Sequence, residues 1–425
     1  KMSKPLQELY NELRFGEHQG GKGRGGLSDA FILKLVELIF AYGVEARASD
    51  IHIEPVETGA RLRYRIDGVL HEMLKVEAEV RDPLIRSVKA RAGMTMEASG
   101  HSKPQDSRIT FSYKDQSVDL RIATFPIIFG DTVAVRILER MRGLPQLGQL
   151  GFQDEGLSEC ERLIQRPSGL ILVSGPTNSG KTTTLYTILE KLRAPHLKII
   201  TLEDPVEYQM EGVDQAQINP KFGLTFASGL RAVLRQDTNI ILVGEIRDTE
   251  TVDIAVRAGL TGHLVFSTIH TRNASGAIHR LLDMGVEPHL IAASLIGVIS
   301  QRLVRKLCSK CQIPDPEAGQ SFVQFWTRRT SVPPPEPASI SLKKATGCLE
   351  CNFTGYFGRT GIFELLVMTD TLKRLVLEGA SSRIYSAIAR DMKTMLLNGL
   401  TKASQGLTTV AEVVRVVGDS EPSES

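Results

Sequence analysis

Two different hydrophobic periods organise the first third of the chain. Ser28-Asp29 is a helix-start signature, and the apolar positions from Ala30 to Tyr42 recur at helical spacing behind it. The period then drops to two. Asp50-Ile-His-Ile-Glu54 alternates polar and apolar, as a half-buried strand does, and Arg61 to Ile66 alternates again before Asp67-Gly68, a hairpin-turn pair. Val69 to Leu74 is the expected partner strand, and Pro83 to Ala92 reads as a helix. Arg108 to Ser112 and Ser117 to Ile122 flank Lys114-Asp115 as a second hairpin, and Asp131 to Leu138 closes the set. Residues 28–142 are therefore expected to form one small α+β domain. Residues 1–27, polar and carrying Gly20 to Gly26, read as a flexible linker, either following an upstream module or forming a short arm.

Beyond Gly143 the alternation gives way to short, continuous apolar runs, the pattern of strands buried on both faces of a parallel sheet. They are Leu170 to Ser174, Leu197 to Leu202, Ile240 to Val243, and Leu264 to Ile269 between His263 and His270. Helix-favouring stretches separate them, so residues 143–300 predict an α/β core. Ala277 to Leu307 reads as helices with little polar interruption. Residues 301–365 hold two cysteine pairs and a proline-rich excursion, Ser331 to Ala338. Residues 366–425 read as a helical end piece closing on a polar tail after Val417.

The loop between the first apolar run and its helix carries the strongest chemistry. Gly175-Pro176-Thr177-Asn178-Ser179-Gly180-Lys181-Thr182-Thr183 follows a strand and opens a helix, the context that makes this spacing a phosphate-binding loop. Its glycines allow the backbone N–H groups to turn inward toward phosphate oxygens. Lys181 supplies charge for the outer phosphates, and the Thr182 hydroxyl is placed for Mg²⁺.

Carboxylates stand just past two further strands, where α/β sheets bind ligands. Glu203, with Asp204 and Glu207, can bind metal through water or orient an attacking water; the alternative is a solvated acidic turn. Glu245 follows Gly244 at the tip of Ile240 to Val243, and is the expected residue to activate water against the γ-phosphate. Gly244 stands where an aspartate usually precedes it. Arg231 and Arg235, four apart on an expected helix, would share one face. His263 and His270, with Ser267 and Thr268 between them, are candidates for a γ-phosphate sensor or for core histidines. Arg121 and Arg136 lie on polar strand faces, as phosphate partners or as solvated charge.

Cys308, Cys311, Cys348 and Cys351 form two C-x-x-C pairs, the donor set of a structural zinc site, and the proline-rich excursion accounts for their wide separation. Cys160 stands apart as an expected buried apolar residue. The 425 residues exceed one ordinary core, the composition is globular, and a formal net charge of +2 weighs against a dedicated nucleic-acid binder. No run approaches the ~18 apolar residues of a membrane span, and a cytoplasmic location is expected.

These motifs together resemble the secretion ATPases of type II secretion and type IV pilus assembly. The resemblance rests on Ala48 to Pro55, Arg63 to Gly68, the phosphate loop, Glu203-Asp-Pro-Val-Glu207, Asn219 to Phe226, Leu234-Arg-Gln-Asp237, Gly244-Glu-Ile-Arg-Asp248, Thr261-Gly-His263, Ser267-Thr-Ile-His270, Gln301 to Cys308 and Gly358 to Glu364. It runs from about Ser28 onward, without the family's longer N-terminal module, and the tetracysteine pattern resembles the assembly and secretion branch. It implies a RecA-like P-loop core behind a small PAS-like domain, with a zinc insert and a helical C-terminal subdomain. It also implies a homohexamer that binds ATP at the seam between domains and subunits. Arg121, Arg136, Arg231 and Arg235 would reach phosphates or couple sites, Glu203 would belong to an acidic box, and His263 and His270 to a histidine box. The implied partners are an inner-membrane platform protein and its assembly complex, with the motor peripheral to that membrane. Thr238-Asn239 stands where Pro-Asp is usual, and Thr271-Arg272-Asn273 where Thr-Asn-Asp is usual. Those departures leave a nucleotide-gated scaffold open as a second reading.

Overall fold

The computed structural model describes residues 4–20, 27–96, 103–114, 116–138, 143–379, 384 and 392–418. Two compact units comprise the chain. One is Lys1–Met141 with Gly347–Phe357, and the other is Arg142–Thr346 with Gly358–Ser425.

The first unit is built on a six-stranded sheet in the order β3-β2-β1-β6-β5-β4. Its strands are β1 (Ala48–Val56), β2 (Gly59–Ile66), β3 (Val69–Glu77), β4 (Gln105–Tyr113), β5 (Gln116–Ile127) and β6 (Gly130–Leu138). All pairings are antiparallel. Alternation sends Ile51, Ile53, Leu62, Tyr64, Leu120, Ile122, Val133 and Val135 into a fully buried core. Helices α1 (Leu6–Gly20), α2 (Asp29–Glu45) and α3 (Ala78–Arg91) contribute to that core. Ser28 caps α2 as expected, its hydroxyl accepting from Phe31 N at 3.1 Å.

Residues 6–20 of the expected linker are instead a helix. Leu6 and Tyr10, four apart, are buried, and the Tyr10 ring meets Phe31 edge-on at 6.3 Å. Leu9 and Leu13 pack against the same core, so the helix docks through apolar positions at helical spacing. Residues 21–26, the centre of the glycine-rich stretch, lie outside the described residues.

The second unit holds a seven-stranded sheet in the order β15-β12-β7-β11-β10-β8-β9. The strands are β7 (Gly169–Ser174), β8 (Ile199–Glu203), β9 (Asp214–Gln217), β10 (Ile240–Val243), β11 (Leu264–Ile269), β12 (Leu295–Leu307) and β15 (Tyr356–Val367). A separate pair, β13 (Ile313–Pro314) and β14 (Lys343–Lys344), lies between the cysteine pairs in sequence. Neighbours from β12 through β9 run parallel. Leu170, Leu172, Ile241, Val243 and Val265 face one apolar cluster, while Ile171, Val173, Leu242 and Phe266 face another. A strand with a core on each side must be apolar at every position, hence the uninterrupted runs.

The helices of this unit are α4 (Leu147–Leu150), α5 (Asp154–Ile164), α6 (Lys181–Leu192), α7 (Phe226–Val233), α8 (Thr249–Leu260), α9 (Ala274–Asp283), α10 (Pro288–Ser294), α11 (Gly319–Arg329), α12 (Asp370–Leu377), α13 (Met395–Ser404) and α14 (Val410–Val417). Cys160 is buried in the cluster beneath α5, and burial pushes its thiol up to about 12.

One expectation is corrected here. Leu295 to Leu307 is strand rather than helix: β-branched Ile296, Val298, Ile299 and Val304 favour the extended chain, and pairing with β7 settles it. Residues 301–365 run between β12 and β15, neighbouring strands of the main sheet, so the stretch that carries the cysteine pairs is anchored to that sheet at both ends. Of the expected helical end piece, residues 380–383 and 385–391 lie outside the described residues, as does the tail from 419.

One buried ion cluster ties β12 to α14. Glu412, 1% exposed, accepts from Arg305 N at 3.0 Å, from Arg305 Nη2 at 2.8 Å and from Arg415 Nε at 2.7 Å. Burial alone would raise its pKa, but the Arg415 and Arg305 hydrogen bonds outweigh it and hold the carboxyl at about 2. A depressed folded-state value stabilises the fold above the unfolded value of about 4.5, and that contribution disappears as pH falls toward 2. Glu412→Gln is expected to cost about 3 kcal/mol at pH 7. Urea melts across pH 7 to 3 should show the gap between wild type and variant closing only below about pH 4.5.

Candidate functional site

β7 ends at Ser174, and the chain turns at Gly175 with φ 148° before entering α6 through Gly180 with φ 89°. At Gly175 only hydrogen fits, because a Cβ would stand 2.4 Å from the Gln301 carbonyl oxygen. Asn178 at φ 63° completes the curl. Pro176, Thr177, Asn178 and Thr182 are exposed, while Ser179 is buried. Thr183 lies in the first turn of α6. Lys181 Nζ donates to the carbonyls of Gly175 and Pro176, each at 2.9 Å. Partial burial depresses its pKa, and the nearby Glu245 carboxylate works in the opposite direction.

Glu245 leaves the tip of β10 after Gly244. There the backbone is gripped from both sides: Gly244 N donates to Leu202 O at 2.8 Å, and Thr268 Oγ1 donates to Gly244 O at 2.8 Å. A Cβ at Gly244 would sit 3.1 Å from the Leu202 carbonyl, so a larger residue would force β8 and β10 apart. Ser267 Oγ donates to Val243 O at 2.7 Å. Ser267 and Thr268, expected in a phosphate sensor, thus fix the strand tip that aims Glu245. Arg247 forms an ion pair with that carboxylate.

His270 follows the carboxyl end of β11 and interacts with the Gly175 backbone. Burial, Lys181 and Arg247 depress its pKa, and Glu245 and the Gly175 contact partly offset them. The imidazole is therefore neutral at pH 7. Lys181, Glu245 and His270 form one electrostatic cluster at the carboxyl edge of the parallel sheet, where such folds bind ligands.

Other expected residues lie elsewhere. His263 precedes β11, whose Leu264 pairs with Gly169 at the amino end of the sheet. Six residues of strand, roughly 20 Å, separate it from His270. Its Nδ1 contacts Ala258 O at 3.2 Å, which makes it a cap on α8 rather than a phosphate sensor. Glu203 is 4% exposed, and its oxygens are occupied by Tyr186 OH, Thr201 Oγ1 and Gln215 Nε2. A carboxylate so enclosed ties α6 to β8 and β9. Arg231 pairs with Glu250 at the surface. Arg235 lies beyond the end of α7, its Nη1 donating to Arg231 O at 2.8 Å, so the pair does not share a helix face.

In the first unit, Arg121 is directly opposite both Arg108 and Arg136 in the sheet. Arg136 Nε donates to Asp50 Oδ1 at 3.0 Å. Arg121 is exposed, and like charges in adjacent positions favour an anion between them.

The sulfurs of Cys308, Cys311, Cys348 and Cys351 all lie within 4.8 Å of one another, which suits a tetrahedral soft-metal site. Cys351 Sγ also receives Cys348 N at 3.2 Å and Gly355 N at 3.3 Å, contacts that favour a thiolate.

The profile of the family described as "Type II/IV secretion system protein" matches residues 26–415. The chain belongs to the secretion ATPase family. This ATPase is an ATP hydrolase, and its cysteine cluster fits the tetracysteine branch. It is 42% identical over 396 residues to the type II secretion system protein E of Dickeya dadantii (strain 3937), covering 92% of this chain and 76% of that protein. It is 43% identical over 393 residues to the type II secretion system ATPase E of Vibrio cholerae serotype O1, with coverage of 92% and 76%. Against the type IV pilus assembly ATPase PilB of Myxococcus xanthus (strain DK1622), identity is 41% over 389 residues, with coverage of 91% and 68%. Among solved structures, the pilus retraction motor PilT with bound ADP aligns with a TM-score of 0.60 at 27% identity, covering 92% of this chain and 98% of that one. The Legionella pneumophila ATPase DotB shares the fold, with a TM-score of 0.65 at 19% identity and coverage of 92% and 96%.

Sequence reasoning gave no role to Gln301, Arg247 or Tyr186. Each lies within or beside a quoted motif, but only contacts made after folding reveal what it does. Placement of the two histidines at opposite ends of β11 yields a contrast. His270→Ala is expected to lower the ATPase kcat by about tenfold or more, while His263→Ala leaves it within about twofold. Steady-state phosphate release from each variant checks this.

Proposed function

We propose that the protein is a hexameric motor whose ATP hydrolysis drives assembly of a type II secretion pseudopilus or a type IV pilus through an inner-membrane platform protein. The observation that carries the reading is the cluster of Lys181, Glu245 and His270 around a glycine-turned phosphate loop. In this reading the loop N–H groups and Lys181 bind the phosphates, and Glu245 positions and activates the attacking water. The neutral His270 stands between the loop and β11 and responds to γ-phosphate. Thr182, exposed in the first turn of α6, would hold Mg²⁺ together with the nucleotide's own oxygens, and the ion would neutralise phosphate charge. Gly244 leaves no protein carboxylate at the preceding position.

Arg121 and Arg136 would meet nucleotide phosphates in the assembled ring, and Arg231 and Arg235 would serve contacts between its subunits. Such a ring would act peripherally at the cytoplasmic face of the inner membrane, without nucleic acid. No described helix is long and apolar enough to cross a membrane. Zinc would be held by Cys308, Cys311, Cys348 and Cys351 and would stabilise the fold around them rather than take part in hydrolysis. Three of the four departures from the family pattern have local partners. Thr238 Oγ1 donates to Val233 O at 3.3 Å, Asn239 Oδ1 accepts from Lys198 N at 2.8 Å, and Asn273 Oδ1 accepts from Gly276 N at 3.0 Å. None of these substitutions removes a group from the cluster around Lys181, which favours a motor over a scaffold.

Lys181→Ala is expected to abolish nucleotide binding and hydrolysis. Glu245→Gln should retain binding but reduce phosphate release by about 10²-fold or more. Unchanged release in both variants would overturn the reading. For the metal, Cys351→Ser should lower the zinc content measured by atomic emission and reduce thermal stability while nucleotide binding persists.

A further inference from the structure

The phosphate loop is held from below by one side chain that the hydrolytic reading leaves without a role. Gln301, on β12, is 1% exposed, and its Nε2 donates to the carbonyl of Ser179 at 2.8 Å. The same residue's backbone carbonyl fills the space that a side chain at Gly175 would need, and its Nε2 lies 3.2 Å from the place of a Cβ at Gly180. Gln301 therefore touches both glycines that shape the loop. Its Oε1 is buried without a hydrogen-bond partner among the described residues, as are the hydroxyls of Ser179, Ser174 and Ser300. Ser300 lies opposite Ser174 in the β12–β7 register. The strand that carries Gln301 is braced a few residues on. Arg305 N donates to Glu412 Oε1 at 3.0 Å, and Thr408 Oγ1 donates to Arg305 O at 2.8 Å, so the amide projects from a fixed support.

We propose that Gln301 is a positioning residue for nucleotide binding: by holding the Ser179 carbonyl down, it keeps the Gly180 N–H turned toward the phosphates. The proposal rests on the reading that this loop binds ATP. A peptide whose carbonyl is tethered on one side must present the following N–H on the other, because the unit is planar. Releasing the tether lets the Ser179–Gly180 peptide rotate, and Gly180, at φ 89°, offers little resistance to that rotation. Phosphate binding then has to reorder the loop each time, which weakens affinity without removing any group that touches the nucleotide.

Gln301→Leu keeps the volume and removes the donor. Gln301→Glu removes the donor at neutral pH and restores one when its carboxyl is protonated. A fluorescent ATP analogue, titrated against both full-length variants, against wild type and against Lys181→Ala, reads affinity, and nucleotide-free melting temperatures read the fold. The expected result is roughly three- to tenfold weaker binding in Gln301→Leu, the worth of one hydrogen bond, with a melting temperature close to wild type. Gln301→Glu should bind weakly at pH 8 and recover relative to wild type at pH 5.5, a rescue that a packing defect would not give. Wild-type affinity in both variants overturns the proposal, as does a loss of affinity matched by a loss of nucleotide-free stability with no recovery at low pH. If wild type binds and Lys181→Ala does not while the Gln301 variants are normal, only this inference fails. If wild type itself does not bind the analogue, the ATPase reading of the loop fails and the inference goes with it.

Discussion

Everything at the candidate site depends on a strand that is buried on both faces and then has to stop. β7 lies between β12 and β11, with apolar clusters above and below. Its carboxyl end cannot continue into another buried polar backbone stretch without partners for its N–H and C=O groups. The loop that follows resolves this by curling, with Gly175 and Gly180 in conformations that a side chain would resist. Its N–H groups are thereby collected at the amino end of α6, where the helix field already favours negative charge. Lys181 donates to the loop's own carbonyls and has its charge disfavoured by burial. A polyphosphate would satisfy both groups at once, so the loop's chemistry and its packing point to the same ligand.

The neighbouring strands repeat the arrangement. β11, beside β7, and β10, one strand further on, deliver His270 and Glu245 to the same edge. What fixes these side chains is a set of short polar ties at the strand tips: Thr268 to Gly244, Ser267 to Val243, and the Gly244 N–H to Leu202. Such ties matter because catalytic positioning tolerates displacements of only a fraction of an ångström before rate is lost. The enclosed Glu203 serves the same end from behind, joining Tyr186 of α6 to Thr201 of β8 and to Gln215 of β9. Glu203, at the tip of the strand that follows the loop helix, is thus enclosed by donors, and the strand-tip carboxylate that is partly open and near Lys181 is Glu245.

The first unit poses a different electrostatic problem. Its sheet sets Arg121 between Arg108 and Arg136, and among the described residues only the outer two have carboxylate partners, Asp119 and Asp50. A sheet face that gathers cations in adjacent register is destabilised by them unless an anion is present.

Much of this was legible in the order of residues, for physical reasons. A strand buried on two sides must be apolar throughout, and one buried on a single side must alternate, so the change of period near Gly143 separated the α+β portion from the α/β portion. The phosphate loop was legible because its glycines, lysine and threonine answer to local geometry alone. The four cysteines were legible because thiolate pairs at that spacing have few other uses. Local pattern could not decide what depends on partners distant in the chain. Leu295 to Leu307 became a strand because β7 offered it an edge, and residues 6–20 became a helix because Phe31 and the sheet gave Leu6 and Tyr10 somewhere to be buried. His263 and His270 are equivalent in the linear pattern, yet the parallel direction of β11 sends them to opposite ends of the sheet. How a carboxylate is surrounded was decided the same way, by the donors that folding brings to it: three for Glu203, and for Glu245 an arginine.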